Sequence, residues 1–251
     1  WLLYPDAPCP LSEALEANLT ESVPVLKRFL DKNRQFISRI ANAAGEAEPL
    51  SSWKRVANYY DTLRVESEYF GATFRRPAWY DADTEKRMAT FLEMMFAVHA
   101  YAPEIVRLRA GPFLNKLIEA FRDEVSEELD QSDNGRRLYL YSSHDSLVAY
   151  VAHALGVYRG YPSYGDGYVF ELQRHSQPKV ASMIHVWYLN NNQMELVQLN
   201  QSARFDSLCT EAYCSLDNFE AGLKNFLLPL DQVKEACENT ANNSSSPTLK
   251  H

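Results

Sequence analysis

Residues 138–156 read Leu138-Tyr-Leu-Tyr-Ser-Ser-His144-Asp145-Ser-Leu-Val-Ala-Tyr-Val-Ala-His-Ala-Leu155-Gly156. The run Leu138 to Ser143 is short and mostly apolar, with a Gly135 turn before it and a helical pattern after it. That context fits a buried parallel strand better than a helix. Ser146 to Leu155 then reads as a helix stopped by Gly156. A strand feeding a helix is the unit of an α/β sheet, in which ligands gather at the carboxyl ends of the strands. His144 and Asp145 stand at that point, where the helix directs backbone N–H groups and partial positive charge, so anions are welcome. An imidazole can donate to a phosphoryl oxygen. A neighbouring carboxyl group that holds its proton can pass it to a departing alcohol oxygen, and the pair therefore suits phosphate-ester cleavage. Asp145 is also a good helix N-cap in its own right, and the dipeptide alone leaves both roles open.

Upstream, the text is helical. Val25, Leu26, Phe29, Leu30, Phe36, Ile37 and Ile40 recur at helical spacing within one helix from Leu11 to about Gly45. A second runs from about Leu50 to Phe70, with Trp53, Val56, Tyr60 and Leu63 on one face and Gly71 as its stop. A third starts near Asp83, a suitable N-cap, and carries Met88, Phe91, Leu92, Met95 and His99 on one face, where His99 reads as packed core. Pro103 bends or restarts it, and one more helix covers Phe113 to Leu129. Downstream, Tyr168 to Arg174, Val180 to Leu189 and Met194 to Leu199 read as the strands of a meander, followed by a helix from Asp217 to Cys237 broken near Pro229. Three regions follow: a mainly helical cap over 1–135, the C-terminal part of an α/β domain over 136–238, and a disordered Asn/Ser-rich tail over 239–251.

A net charge of -8 argues against nucleic acid as the main ligand, because a phosphodiester groove needs clustered Lys and Arg. No apolar run approaches the roughly 18 residues of a membrane span. The cysteines at 9, 209, 214 and 237 show no C-x-x-C spacing, so metal is not expected. Cys209 and Cys214 can close a local loop, which leaves Cys9 to meet Cys237; free buried thiols are the alternative. In the chain-entropy account a link that long is worth about 5 kcal/mol. Asn18, Asn200, Asn242 and Asn243 open Asn-x-Ser/Thr triplets that permit glycosylation. Cysteines and triplets together lean toward a secreted or lysosomal route.

The wider text around the dipeptide, Leu140-Tyr-Ser-Ser-His-Asp-Ser-Leu, then Ala154-Leu-Gly-Val-Tyr, Pro162-Ser-Tyr-Gly and Val169-Phe-Glu-Leu, resembles the C-terminal half of the histidine acid phosphatases of prostatic and lysosomal type. Pro8-Cys-Pro, Tyr60-Asp-Thr-Leu, Pro77-Ala-Trp, Arg107-Leu-Arg-Ala-Gly-Pro and the late cysteines Cys209 and Cys214 resemble that family in the same order. The resemblance covers about residues 8 to 238. It implies an α/β histidine phosphatase (phosphoglycerate mutase-like) fold, here a partial sheet with a helical cap. It further implies hydrolysis of a small phosphate monoester at acidic pH through a phosphohistidine, without metal or cofactor. By position, His144 would bind the phosphoryl group and Asp145 would act as general acid. A homodimer is compatible with this reading.

Departures from the family pattern matter as much. The nucleophile implied by the resemblance is a histidine in Arg-His-Gly, and no such triplet occurs in these residues; Arg174-His175 is followed by Ser176. The opening Trp1-Leu-Leu-Tyr reads as mid-chain text, so the expectation is a C-terminal fragment that is inactive alone. Family members resembling this chain bridge two positions held here by Val65 and Gly167. His153 and His185 have no metal partner at ligand spacing. Two rivals stand beside the phosphatase: a metal-dependent His-Asp phosphohydrolase, which would need an all-helical bundle, and a non-catalytic phosphatase-like binding module.

Overall fold

The computed structural model describes residues 2–46, 53–126, 138–174 and 182–238. They fall into two compact units, Asn18–Tyr101 and a second made of Trp1–Ala17 with Ala102–His251.

The first unit is helical. The helix expected from 11 to 45 is two, α1 (Pro10–Ser22), whose residues 10–17 belong to the second unit, and α2 (Pro24–Ala43). Proline disfavours helical geometry in the residue before it, and Val23 is accordingly extended at φ -108° and ψ 101°. Helix α3 (Lys54–Phe70) buries Val56, Ala57, Tyr60 and Leu63, and Gly71 ends it as expected. Helix α4 (Ala82–Ala97) starts two residues earlier than expected, because its cap is Asp81, whose carboxylate accepts from the Thr84 backbone N–H at 2.7 Å. That bond holds the Asp81 carboxyl below the usual aspartate range. Phe91 packs on Phe29 and Phe36 at 4.9 and 5.8 Å between ring centroids. Arg87 closes the same core, donating to Asn33 Oδ1 and lying 4.2 Å over the Phe36 ring. His99 sits beyond α4 in a 3-10 turn and is buried, in keeping with a core histidine.

The second unit is built on α5 (Pro103–Val125), longer than expected because it runs through Pro112 instead of restarting after it. At Gly111 a side chain would meet the Phe226 carbonyl oxygen at 2.5 Å, so glycine permits the close approach of the chain leading to the C-terminal helices. Helix α6 (Asp145–Leu155) packs on α5 and stops at Gly156, φ 70°, where Ser202 donates to the Leu155 carbonyl at 2.7 Å. The meander is present: β1 (Gly167–Gln173) pairs antiparallel with β2 (Met183–Asn190), and β2 with β3 (Gln193–Leu196). Asn191 and Asn192 have positive φ, as a two-residue hairpin turn requires. A two-residue strand, β4 (Cys214–Ser215), pairs with the start of β2. Helices α7 (Leu216–Leu223) and α8 (Val233–Glu238) flank the break at Pro229. Phe170, Phe205 and Phe219 carry the contact between sheet and helices. Both expected disulfides are formed, Cys9–Cys237 and Cys209–Cys214. The first sits in an apolar cluster with Leu108, Leu228 and Val233.

Leu138 to Ser143, read as a strand whose flanking strands lie outside these residues, forms no ladder with any described strand, and it is exposed. A parallel strand exists only beside a neighbour that accepts and donates its slanted bonds. None of the described residues supplies that neighbour, and the sheet that does form is antiparallel.

Candidate active site

His144 and Asp145 lie where the extended segment meets α6. His144 is the N-cap, with φ -106° and ψ 156°, and its carbonyl accepts the first helical bonds from Leu147 and Val148. Its imidazole makes no capping bond. Asp145 is the first helical residue rather than the cap, and its Oδ1 accepts from the Ser146 backbone N–H at 2.7 Å. Both side chains are exposed. An imidazole, a carboxyl group and the amino end of an 11-residue helix thus face solvent together. Those are the elements for holding an anion and handing a proton to an oxygen beside it.

The N-terminal strap, residues 2–9, is a part of this site that residue types alone did not reveal. Ser143 Oγ donates to the Leu3 carbonyl at 2.6 Å, and the Tyr4 ring stands 5.7 Å from the His144 ring, tilted by 56°. Pro5, Ala7 and Cys9 are buried while Tyr4, Asp6 and Pro8 are exposed, a two-residue alternation that the sequence carried but that two prolines disguise. Below the site, Tyr150 on α6 is buried, which pushes its phenol up and keeps it protonated.

The other histidines stand apart. His153 is buried, stacks on Tyr158 at 4.2 Å, and its carbonyl accepts from Arg204. His185 lies on β2 opposite Glu171, with Tyr213 5.0 Å away. His175 is outside the described residues. Among the described residues no three His, Cys, Asp or Glu are grouped to hold a metal, and no helix is long and apolar enough to cross a membrane. Asn18 is exposed on α1. Asn200, by contrast, has a buried carboxamide oxygen, and the Ser202 hydroxyl of its triplet is buried against Leu155. Asn242 and Asn243 are outside the described residues.

Comparison with known proteins gives the site its context. Residues 3–202 match the family described as histidine phosphatase superfamily, branch 2. The chain is 28% identical over 253 residues to prostatic acid phosphatase of Rattus norvegicus, covering 98% of this chain and 60% of the relative. It is 23% identical over 245 residues to lysosomal acid phosphatase of Xenopus laevis, covering 96% and 52%. With lysosomal acid phosphatase of Homo sapiens it shares 29% over 176 residues, covering 68% and 39%. The chain therefore spans little more than half the length of the relatives it matches most fully. A family match across most of the chain, with the His-Asp junction, the meander and the disulfides in place, makes this chain a member of branch 2 of the histidine phosphatase superfamily.

Proposed function

We propose that the chain belongs to an acid phosphatase that hydrolyses small phosphate monoesters through a phosphohistidine. In this reading His144 donates to a phosphoryl oxygen and Asp145 protonates the leaving alcohol oxygen. The observation that carries it is the exposed pairing of His144 and Asp145 at the amino end of α6. The acid phosphatase names of the relatives support the same reaction. The covalent step needs a nucleophile that forms the P–N bond as the P–O bond breaks, and residues 1–251 contain no Arg-His-Gly to supply one. The 251 residues alone are therefore expected not to turn over p-nitrophenyl phosphate.

The test is to extend the chain with the transcript's own sequence upstream of Trp1 and assay p-nitrophenyl phosphate at acidic pH. An upstream Arg-His-Gly, with activity that falls about 10²- to 10⁴-fold in Asp145→Ala, is the expected result. A complete transcript without that triplet, or activity indifferent to the substitution, would favour the second reading. That reading is a phosphatase-like binding module.

The relatives' names, prostatic and lysosomal, together with the two disulfides, support a secretory or lysosomal route for this chain. On that route Asn18 is the acceptor that its exposure favours and Asn200 is not. Glycopeptide mapping of protein from a secretory host should find sugar at Asn18 and none at Asn200. A fully occupied Asn200 would contradict the folded geometry.

A further inference from the structure

Arg109 is the residue of the Arg107-Leu-Arg-Ala-Gly-Pro stretch that the proposed reaction leaves unused, and it is 9% exposed. A guanidinium placed that deep must spend its donors on partners, since an unpaired buried charge is costly. From α5 it sends Nε to Ser12 Oγ at 2.9 Å and one terminal nitrogen to the Ala7 carbonyl at 2.6 Å. Both acceptors belong to the N-terminal strap and the first turn of α1. Ser12 is itself fully buried. The rigid fork of arginine fixes the angle between its two bonds, which a flexible ammonium cannot do.

The strap is tied at two other places. Cys9 is bonded to Cys237, and the Leu3 carbonyl accepts from Ser143. Arg109 holds the stretch between them, and within it the Ala7 N–H donates to the Tyr4 carbonyl at 3.2 Å. Tyr4 is thereby one hydrogen bond removed from the residue that Arg109 grips, and its ring faces His144. The geometry points to Arg109 as a positioning residue of the His144 site: through Ala7 and Ser12 it sets the strap that places Tyr4 against the imidazole. Arg109 touches neither His144 nor a substrate. This inference rests on the phosphatase reading for its purpose, but its geometry can be read without phosphate.

The measurement is NMR of the His144 ring protons in the full 251-residue chain, assigned with His144→Gln and titrated with inorganic phosphate. Tyr4→Leu first defines the signature, because removing the phenol ring removes its ring-current shift at His144. Arg109→Met is expected to reproduce that change and to weaken the phosphate response severalfold while Cys9–Cys237 stays formed. Arg109→Lys, with one nitrogen for two acceptors, should recover part of both. A folded Arg109→Met with unchanged His144 signals would overturn the inference. Should Arg109→Met not fold, Ser12→Ala decides: a smaller shift toward the Tyr4→Leu signature supports the role, and an unmoved spectrum refutes it. Phosphate that leaves the wild-type His144 signals unmoved counts against the phosphatase reading alone, since the Tyr4 signature is recorded before phosphate is added.

Discussion

Seven residues before Asp145 and eleven from it onward have opposite fates. In α6, Leu147 and the run Ala149 to Leu155 are buried, while in the preceding segment every residue from Leu138 to His144 is exposed. Leu155 is 0% exposed and Leu140 is 90% exposed, although both are leucines in apolar text. The difference lies in where the backbone hydrogen bonds go. A helix closes its own, so α6 needs neighbours only for its side chains, and α5 provides them. An extended segment closes none, and its burial depends on strands that come from elsewhere in the chain or from another chain. The proposed pair, His144 and Asp145, sits on the seam between the two kinds of structure.

The comparison is sharpened most by deleting side-chain volume on the helical side. Leu155→Ala should cost about 2–5 kcal/mol, read from chemical denaturation, because the pocket around it is filled. A cost below about 1 kcal/mol would mean that α6 is not the packed element described above. Next comes the tie behind the seam. Cys9→Ser with Cys237→Ser should cost about 2–5 kcal/mol, while α6 remains protected from hydrogen exchange. Loss of α6 protection in that variant would show that the helix depends on the strap and is not autonomous.

This asymmetry also explains how much was legible in the sequence. The helices were readable because apolar spacing and stops such as Gly71 and Gly156 are local, and the meander because Asn191-Asn192 marks its turn. Errors fell where local signals compete. Asp83 and Asp81 are both acceptable caps, and only the geometry selects Asp81. Pro112 signalled a break that the tight seat of Gly111 against Phe226 and Leu228 overrides. His144 and Asp145 were legible as a pair, whereas Tyr4 was not: it lies 140 residues away in sequence, and nothing local says that Leu3 meets Ser143. For Leu138 to Ser143, apolar content speaks to what a strand would bury and not to whether a partner is present, and no described strand pairs with it.

The caps offer a finer test. Helix α4 begins with a side-chain bond from Thr84 to Asp81, and α6 begins with none from His144. Asp81→Ala should therefore destabilise the fold, and Asp81→Asn much less, since asparagine caps equally well. The Asp81 carboxyl is held below its ordinary range, so its contribution is fully present above about pH 4 and is lost as pH falls through the lowered value. Wild type and Asp81→Asn should diverge only below that point. At α6 the sign reverses: His144→Ser installs the missing cap and should stabilise by about 0.5–1 kcal/mol while abolishing the phosphate response. A destabilised His144→Ser would mean that the imidazole is kept for packing and not for a ligand.

The smallest expected effect falls on the extended side. Leu140→Ser removes an apolar side chain that already stands in water, so its stability should stay within about 0.5 kcal/mol of wild type. Amides 138–142 should exchange with solvent faster than those of α6, because the segment pairs with no described strand. Both readings belong to the 251-residue chain. Repeated on the chain extended upstream of Trp1, they separate the two kinds of structure cleanly. If added strands take up the segment, Leu140→Ser becomes a core substitution, its cost rises toward the value for Leu155, and the amides become protected. If the extended chain leaves Leu140 as tolerant as before, the apolar text of Leu138 to Tyr141 is not a strand in waiting, and His144 stands at the end of a segment that remains open to solvent.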